Sequence, residues 1–175
     1  FINKFNSSNC SVFLYKNTLF VFVPDHAMQY PVDLDVFSVE RYKIPMIFYG
    51  PALARTGVKV DVVGSQIDLA ATLLGQLGID HSDFTFSKDM LNPANPHFGF
   101  FTVPDAFGMV TDSGAVVFDN VSEKIYSSNL PETPVLEHGK AFLQKLYDDL
   151  DKRGNKKFGK KKKMPTFATR SGMNG

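Results

Sequence analysis

The chain has 175 residues, of which 43% are hydrophobic and 21% are charged. This composition is typical of a globular domain and too apolar for a disordered chain. No apolar run approaches the roughly 20 residues that cross a bilayer. The single cysteine, Cys10, excludes an internal disulfide framework and a zinc site built from cysteines.

The overall charge of +1 conceals two regions of opposite sign. Residues 1–151 carry 10 basic and 18 acidic side chains, a net charge of −8, whereas residues 152–175 carry nine basic and no acidic ones. We therefore expect a folded body over 1–151 and a mobile, basic tail over 152–175. A basic tail of this kind could bind anionic lipid. A nucleic-acid partner is not expected, because the acidic body would repel phosphates.

Two strands are predicted in the first third of the chain. Leu19–Val23 is a continuous run of β-branched and aromatic residues, typical of a strand buried on both faces of a parallel sheet. Pro24 lacks a backbone donor and should end it. Ile44–Tyr49 is a second such run, and we expect the two to be parallel neighbours. The connection between them is too long for a hairpin and is expected to be irregular or to contain a short helix.

Two helices and a meander are predicted further along. Ser65 and Asp68 suggest a capping box at the start of a helix that continues to Leu77, with Gly78 after its end. This helix should pack on the sheet. Turn residues then separate three short strands in a small antiparallel meander over Phe98–Phe118. Pro134 suits the first turn of a second helix ending near Gly154. Its apolar stripe consists of Leu136, Phe142, Leu143, Leu146 and Leu150.

The Asp25-His26 pair is the sharpest chemical feature. It follows the Leu19–Val23 strand, and ligands of open α/β sheets bind at the carboxyl ends of strands. Carboxylate oxygen and imidazole nitrogen suit Zn²⁺ or Mn²⁺, so a metal site is one interpretation and an ordinary exposed turn is the other. The remaining histidines are expected on loops or the surface: His81, His97 and His138.

Three segments in order resemble the sulfatase and alkaline phosphatase superfamily. Lys16–His26 is similar to its segment of Asn-Thr, an apolar strand and Asp-His. Tyr42–Pro51 resembles the strand that follows, and Ser65–Leu74 resembles the next helix. The Gln66-Ile67-Asp68 sequence and the Ile44–Tyr49 strand look most like the lipoteichoic acid synthase and phosphoglycerol transferase branch, with classical sulfatases as the alternative.

The resemblance implies an α/β fold, the C-terminal part of an alkaline phosphatase-like domain with parallel central strands and a flanking helix. It implies metal-dependent phosphoryl or sulfuryl transfer, with Asp25 and His26 as ligands of a divalent cation: Mn²⁺ first, with Zn²⁺, Mg²⁺ or Ca²⁺ as alternatives. The family's nucleophile lies far upstream of this segment, so we expect a fragment or truncated form without catalytic residues of its own, or else a non-catalytic fold relative.

The resemblance also implies partners and a location. The substrate would be lipid-linked glycerol phosphate or a sulfated or phosphorylated glycan, and the upstream half of the same enzyme would complete the site. Members of this branch are anchored by upstream membrane helices, with the catalytic domain on the extracytoplasmic face of the bacterial membrane. The expected location is therefore the periplasm or the cell surface.

Overall fold

A computed structural model describes residues 14–27, 33–128 and 134–154. These residues form two compact units, one from 14–27, 33–35 and 40–62, the other from 36–39, 63–128 and 134–154. A short 3₁₀ helix, Val39–Tyr42, lies in the predicted irregular connection. Cys10 and residues 155–175 of the predicted basic tail lie outside the described residues. Among the residues described, no helix has the length and apolar character needed to cross a membrane.

The first unit contains a two-stranded sheet. Strand β1 (Phe20–Phe22) pairs with β2 (Ile47–Tyr49), and Val21 lies opposite Phe48. Gly50 ends β2 with a φ of +136°, and a side chain there would overlap the carbonyl oxygen of Thr18. Glycine is therefore required at this position both by the backbone conformation and by the close approach of the two chain segments.

The prediction of parallel, fully buried strands is wrong here. β1 and β2 are antiparallel, and the side chains of Phe20, Phe22, Ile47 and Tyr49 on one face are 39–54% exposed. Pro24 and Pro45 flank three-residue strands, so each apolar run contributes only a short ladder. An apolar run identifies a strand well, but it specifies neither the direction of pairing nor the second layer that would bury it.

The second unit contains the larger sheet, an antiparallel meander in the order β3-β4-β5-β6. The meander was predicted over Phe98–Phe118, with short strands separated by turns, and this is confirmed. It is not the smaller of the two sheets, however, because a fourth strand extends it. Its strands are β3 (Phe98–Val103), β4 (Ala106–Thr111), β5 (Gly114–Asp119) and β6 (Ile125–Ser128).

The core of the second unit lies between this sheet and a long helix, α2 (Pro134–Gly154). Phe107, Phe118 and Leu143 are buried together there. Gly139 of α2 lies against the Phe107 ring, where a side chain would not fit. The predicted helix is confirmed, although Leu150 at the end of its stripe is exposed.

Helix α1 (Leu69–Gln76) follows a 3₁₀ turn, Gln66–Asp68, within the predicted segment. The Asp68 carboxylate accepts a hydrogen bond from the backbone N–H of Ser65 at 2.8 Å, as a capping box requires. At the other end Gly78 has a φ of +68°, and the N–H of Ile79 donates to the Leu74 carbonyl at 2.9 Å. This is the glycine-terminated helix end expected from the sequence.

Candidate functional site

Asp25 and His26 follow β1 in the first unit, directly after Pro24. The backbone N–H of His26 donates to Oδ1 of Asp25 at 3.0 Å, and this bond turns the carboxylate back toward the histidine. The Nε2 atom of His26 lies 3.7 Å from the same oxygen. The two side chains therefore point to one side of the chain, although they are neighbours in sequence.

A second contact orients the imidazole ring. Nδ1 of His26 lies 3.0 Å from the carbonyl oxygen of Ala27. A carbonyl only accepts, so Nδ1 carries the hydrogen, and in the neutral ring Nε2 then presents a lone pair. A backbone carbonyl on one ring nitrogen is the usual arrangement behind a histidine that binds metal through the other.

The separation of these two donor atoms is compatible with a shared divalent cation. Two ligands about 2.1 Å from a tetrahedral metal lie roughly 3.4 Å apart, close to the 3.7 Å between Asp25 and His26. The side chains of Asp25 and His26 are 90% and 78% exposed. Within the described residues, no group of three or more histidine, cysteine, aspartate or glutamate side chains is placed to hold a metal. The described part therefore offers two donor side chains here, Asp25 and His26, and their assignment as metal ligands stays a prediction.

The other histidines lie elsewhere. His81 contacts the carbonyl oxygen of Ile79 through Nδ1 at 3.2 Å, in the loop that follows α1. His138 is exposed on α2, as expected. His97 precedes β3, and its Nε2 atom is buried without a hydrogen-bond partner. None of them joins Asp25 and His26 in a metal-binding group among the described residues.

The second unit contains a buried ion pair that was not predicted from the sequence. Nζ of Lys88 donates to Oδ2 of Asp68 at 2.6 Å and to the carbonyl oxygen of Phe98 at 2.9 Å. It also lies 3.8 Å from the centre of the Phe98 ring. Burial lowers the pKa of Lys88, and the bond to Asp68 opposes that shift. The pair joins the start of α1 to the loop before β3.

Asp89 continues this polar cluster. Its carboxylate is buried and accepts hydrogen bonds from the side chain of Gln76 at 3.2 Å and from the N–H of Leu91 at 2.8 Å. Thr72 accepts from the N–H of Met90 at 3.0 Å. The bonds from Gln76 to Asp89 and from Met90 to Thr72 hold the loop against α1, and the bond from Leu91 to Asp89 lies within the loop. The only sequence signal was a Lys-Asp dipeptide in a polar segment, which usually indicates a solvated loop.

No family model and no curated protein matches the chain. Among solved structures, it is similar to a crystal structure of a protein in the alkaline phosphatase superfamily from Vibrio parahaemolyticus. The TM-score is 0.62 and the sequence identity is 19%, over 79% of this chain and 36% of that one. The chain thus has a mixed α/β fold similar to part of an alkaline phosphatase superfamily structure, and it spans about a third of that protein's length.

Proposed function

We propose that the chain is part of a metal-dependent phosphoglycerol transferase, or a related phosphodiester-cleaving enzyme, of the sulfatase and alkaline phosphatase superfamily. The substrates would be lipids or glycans of the bacterial cell envelope, on the extracytoplasmic side of the membrane. One observation carries the proposal: Nε2 of His26 and Oδ1 of Asp25 lie 3.7 Å apart, a separation that two ligands of one cation could have, in a chain whose fold is similar to part of a superfamily structure.

The chain's own residues would hold the cation. Asp25 would offer a carboxylate oxygen and His26 its Nε2 atom, with the Ala27 carbonyl fixing the ring. When bound, a divalent cation, Mn²⁺ in this proposal, would supply Lewis-acid stabilisation of charge on the transferred group. The carboxylate also contributes a negative charge, so the pair favours a cation over a neutral ligand.

The nucleophile would lie outside these 175 residues. In the superfamily that the chain resembles, the nucleophile lies upstream of these segments, as a threonine in the transferase branch or a formylglycine in sulfatases, and we propose the same here. We therefore expect this chain by itself to turn over neither phosphodiesters nor sulfate esters, and the upstream part of the enzyme to be its obligatory partner. Lipid-linked glycerol phosphate is the proposed substrate, as the acceptor of the transferred group, because the motif over Gln66–Asp68 resembles the transferase branch.

The decisive experiment uses the protein expressed from its complete gene. His26→Ala should lower Mn²⁺-dependent hydrolysis of a chromogenic phosphodiester ten- to a hundredfold or more, which is the usual cost of disturbing a metal's ligand shell. His138→Ala is the matched control, because that histidine is also exposed but lies on α2. Unchanged turnover and unchanged Mn²⁺ affinity in His26→Ala would overturn the proposal. Hydrolysis of a sulfate ester in place of the phosphodiester would move the enzyme to the sulfatase branch.

A further inference from the structure

Within the described residues, one face of the two-stranded sheet in the first unit is aromatic and exposed. Phe20 and Phe22 of β1 share this face with Ile47 and Tyr49 of β2, because Phe20 pairs with Tyr49 and Phe22 with Ile47. Tyr15 lies beside them. We call these five residues the aromatic face. All five side chains are between 38% and 54% exposed, and none carries a charge.

The aromatic face is already ordered. The Phe20 ring lies 6.4 Å from Phe22, 6.2 Å from Tyr49 and 6.3 Å from Tyr15, centre to centre. The hydroxyl groups of Tyr15 and Tyr49 are within hydrogen-bond distance at 3.3 Å. When a partner covers this surface, the rings of the aromatic face would therefore lose little side-chain entropy, which favours binding.

Such a surface is costly to leave in water. A two-stranded ribbon is at best marginally stable alone, and both strands here have only three residues. Contiguous exposed apolar side chains mark contact sites rather than ordinary surface. The position is also informative, because Asp25 follows the last residue of β1 by three positions. The aromatic face is thus close in sequence to the candidate metal site, for which the described part of the chain offers two donor side chains.

We propose that the aromatic face binds an apolar, uncharged surface of the same enzyme's catalytic domain, in the part that has no counterpart in this chain. This inference rests on the proposed function. Two observations identify the occupant: the chain spans 36% of the superfamily protein whose fold it resembles, and the candidate site is left with two ligands in the described residues. An occupant of this face would pack along β1, the strand that Asp25 and His26 follow, and could supply further ligands.

Photo-crosslinking tests the occupant directly. In the protein expressed from its complete gene, p-benzoylphenylalanine replaces Phe22, and mass spectrometry identifies the peptide joined to it after irradiation. We expect a peptide of the same polypeptide that lies outside these 175 residues. The control carries the same group at Val121, which is 70% exposed in the second unit, and should not capture that peptide. No cross-link at Phe22, or one to residues 1–13, a second copy or another protein, would overturn the inference.

A charge on the aromatic face supplies a second measurement. Phe22→Asp should lower the Tm of the complete protein by several degrees more than Val121→Asp, because the new carboxylate would be buried without a partner. Equal shifts would contradict the inference. Its failure is distinguishable from that of the proposed function. If His26→Ala loses activity but no cross-link forms at Phe22, the proposed function is supported and the interface is contradicted. If the cross-link forms but His26→Ala stays active, the interface is supported and the proposed function is contradicted.

Discussion

The two units place their aromatic side chains in opposite environments. In the second unit Phe107 and Phe118 lie 5.7 Å apart, centre to centre, and both are buried beneath α2. In the first unit Phe20 and Tyr49 lie 6.2 Å apart, yet both are more than one-third exposed. The ring spacing is similar, so the difference is the second layer: a helix covers the four-stranded sheet. The candidate metal ligands belong to the unit whose sheet face is open.

The features that stabilise the fold and the candidate metal ligands lie in different units. The second unit has the buried hydrophobic cluster and the buried ion pair, while Asp25 and His26 lie in the first. Substitutions in the second unit should therefore change the free energy of unfolding strongly, and substitutions at the candidate site should change it little.

Phe107→Ala should have the largest effect. The ring is fully buried, stacks on Phe100 at 5.7 Å and contacts Gly139 of α2, so its removal leaves a cavity between sheet and helix. We expect the free energy of unfolding to fall by about 3–5 kcal/mol, measured by urea denaturation. Phe84→Ala is the control at an exposed phenylalanine and should cost far less. Equal losses would contradict the central role of the Phe107 cluster.

Lys88→Met should follow. It leaves the fully buried Asp68 carboxylate without its cation, at a cost of about 3 kcal/mol. Lys59→Met is the matched control, because Lys59 and Asp61 in the first unit are also 2.6 Å apart but 84% and 77% exposed. That surface pair should be worth roughly 0–1 kcal/mol. Similar losses in the two variants would show that burial does not distinguish the pairs.

The buried pair also has a pH signature. Burial lowers the folded-state pKa of Lys88 below its ordinary value of 10.5. At pH values between the lowered folded-state pKa and the unfolded-state pKa of 10.5, Lys88 is protonated in the unfolded chain and deprotonated in the folded chain. The free energy of unfolding therefore rises with pH in this range. Wild type should therefore gain stability relative to Lys88→Met as the pH approaches 10.5. Urea denaturation of wild type and Lys88→Met at a series of alkaline pH values measures the difference between their free energies of unfolding. A difference that stays constant or falls as the pH rises would contradict the prediction.

Gly139→Ala probes the closeness of α2 to the sheet. The new methyl group would overlap the edge of the Phe107 ring. Overpacking lowers the free energy of unfolding by about 1–3 kcal/mol, and the better helix propensity of alanine raises it by about 1 kcal/mol. We therefore expect a net decrease of about 1 kcal/mol. Gly154→Ala at the open end of α2 is the control and should lose nothing. Thermal unfolding compares the two, and an unchanged Gly139→Ala Tm would mean that α2 moves away without cost.

Local elements could be predicted from the sequence because their signals are local. Ser65, Asp68 and Gly78 lie within or beside α1, and the Asp112-Ser113-Gly114 turn lies between two strands of the meander. The direction of β1–β2 pairing depends on the chain between the strands and on their covering layer, neither of which the Leu19–Val23 run encodes. The Asp68–Lys88 pair was missed for a similar reason: its partners are 20 positions apart and meet only after the loop folds.

The candidate site was predictable to the same extent. Asp25 and His26 are neighbours after a strand, so their proximity follows from the sequence, and their role as metal ligands stays a prediction. The sequence did not indicate that the Ala27 carbonyl would hold Nδ1 and leave Nε2 beside the carboxylate. Ligands that come from distant segments have no signal near this pair, because a metal's coordination shell is assembled by tertiary structure.

His26→Ala should have the smallest effect on stability. The ring is 78% exposed, and its contacts are to the neighbouring residues Asp25 and Ala27, so the free energy of unfolding of this chain should change by less than about 0.5 kcal/mol. Urea denaturation, with His138→Ala as the control, measures it. Because the same substitution is expected to abolish most activity of the complete enzyme, the two results together would assign His26 to chemistry rather than folding. A stability loss as large as that of Gly139→Ala would instead make His26 a structural residue, since its removal would then disturb the first unit itself.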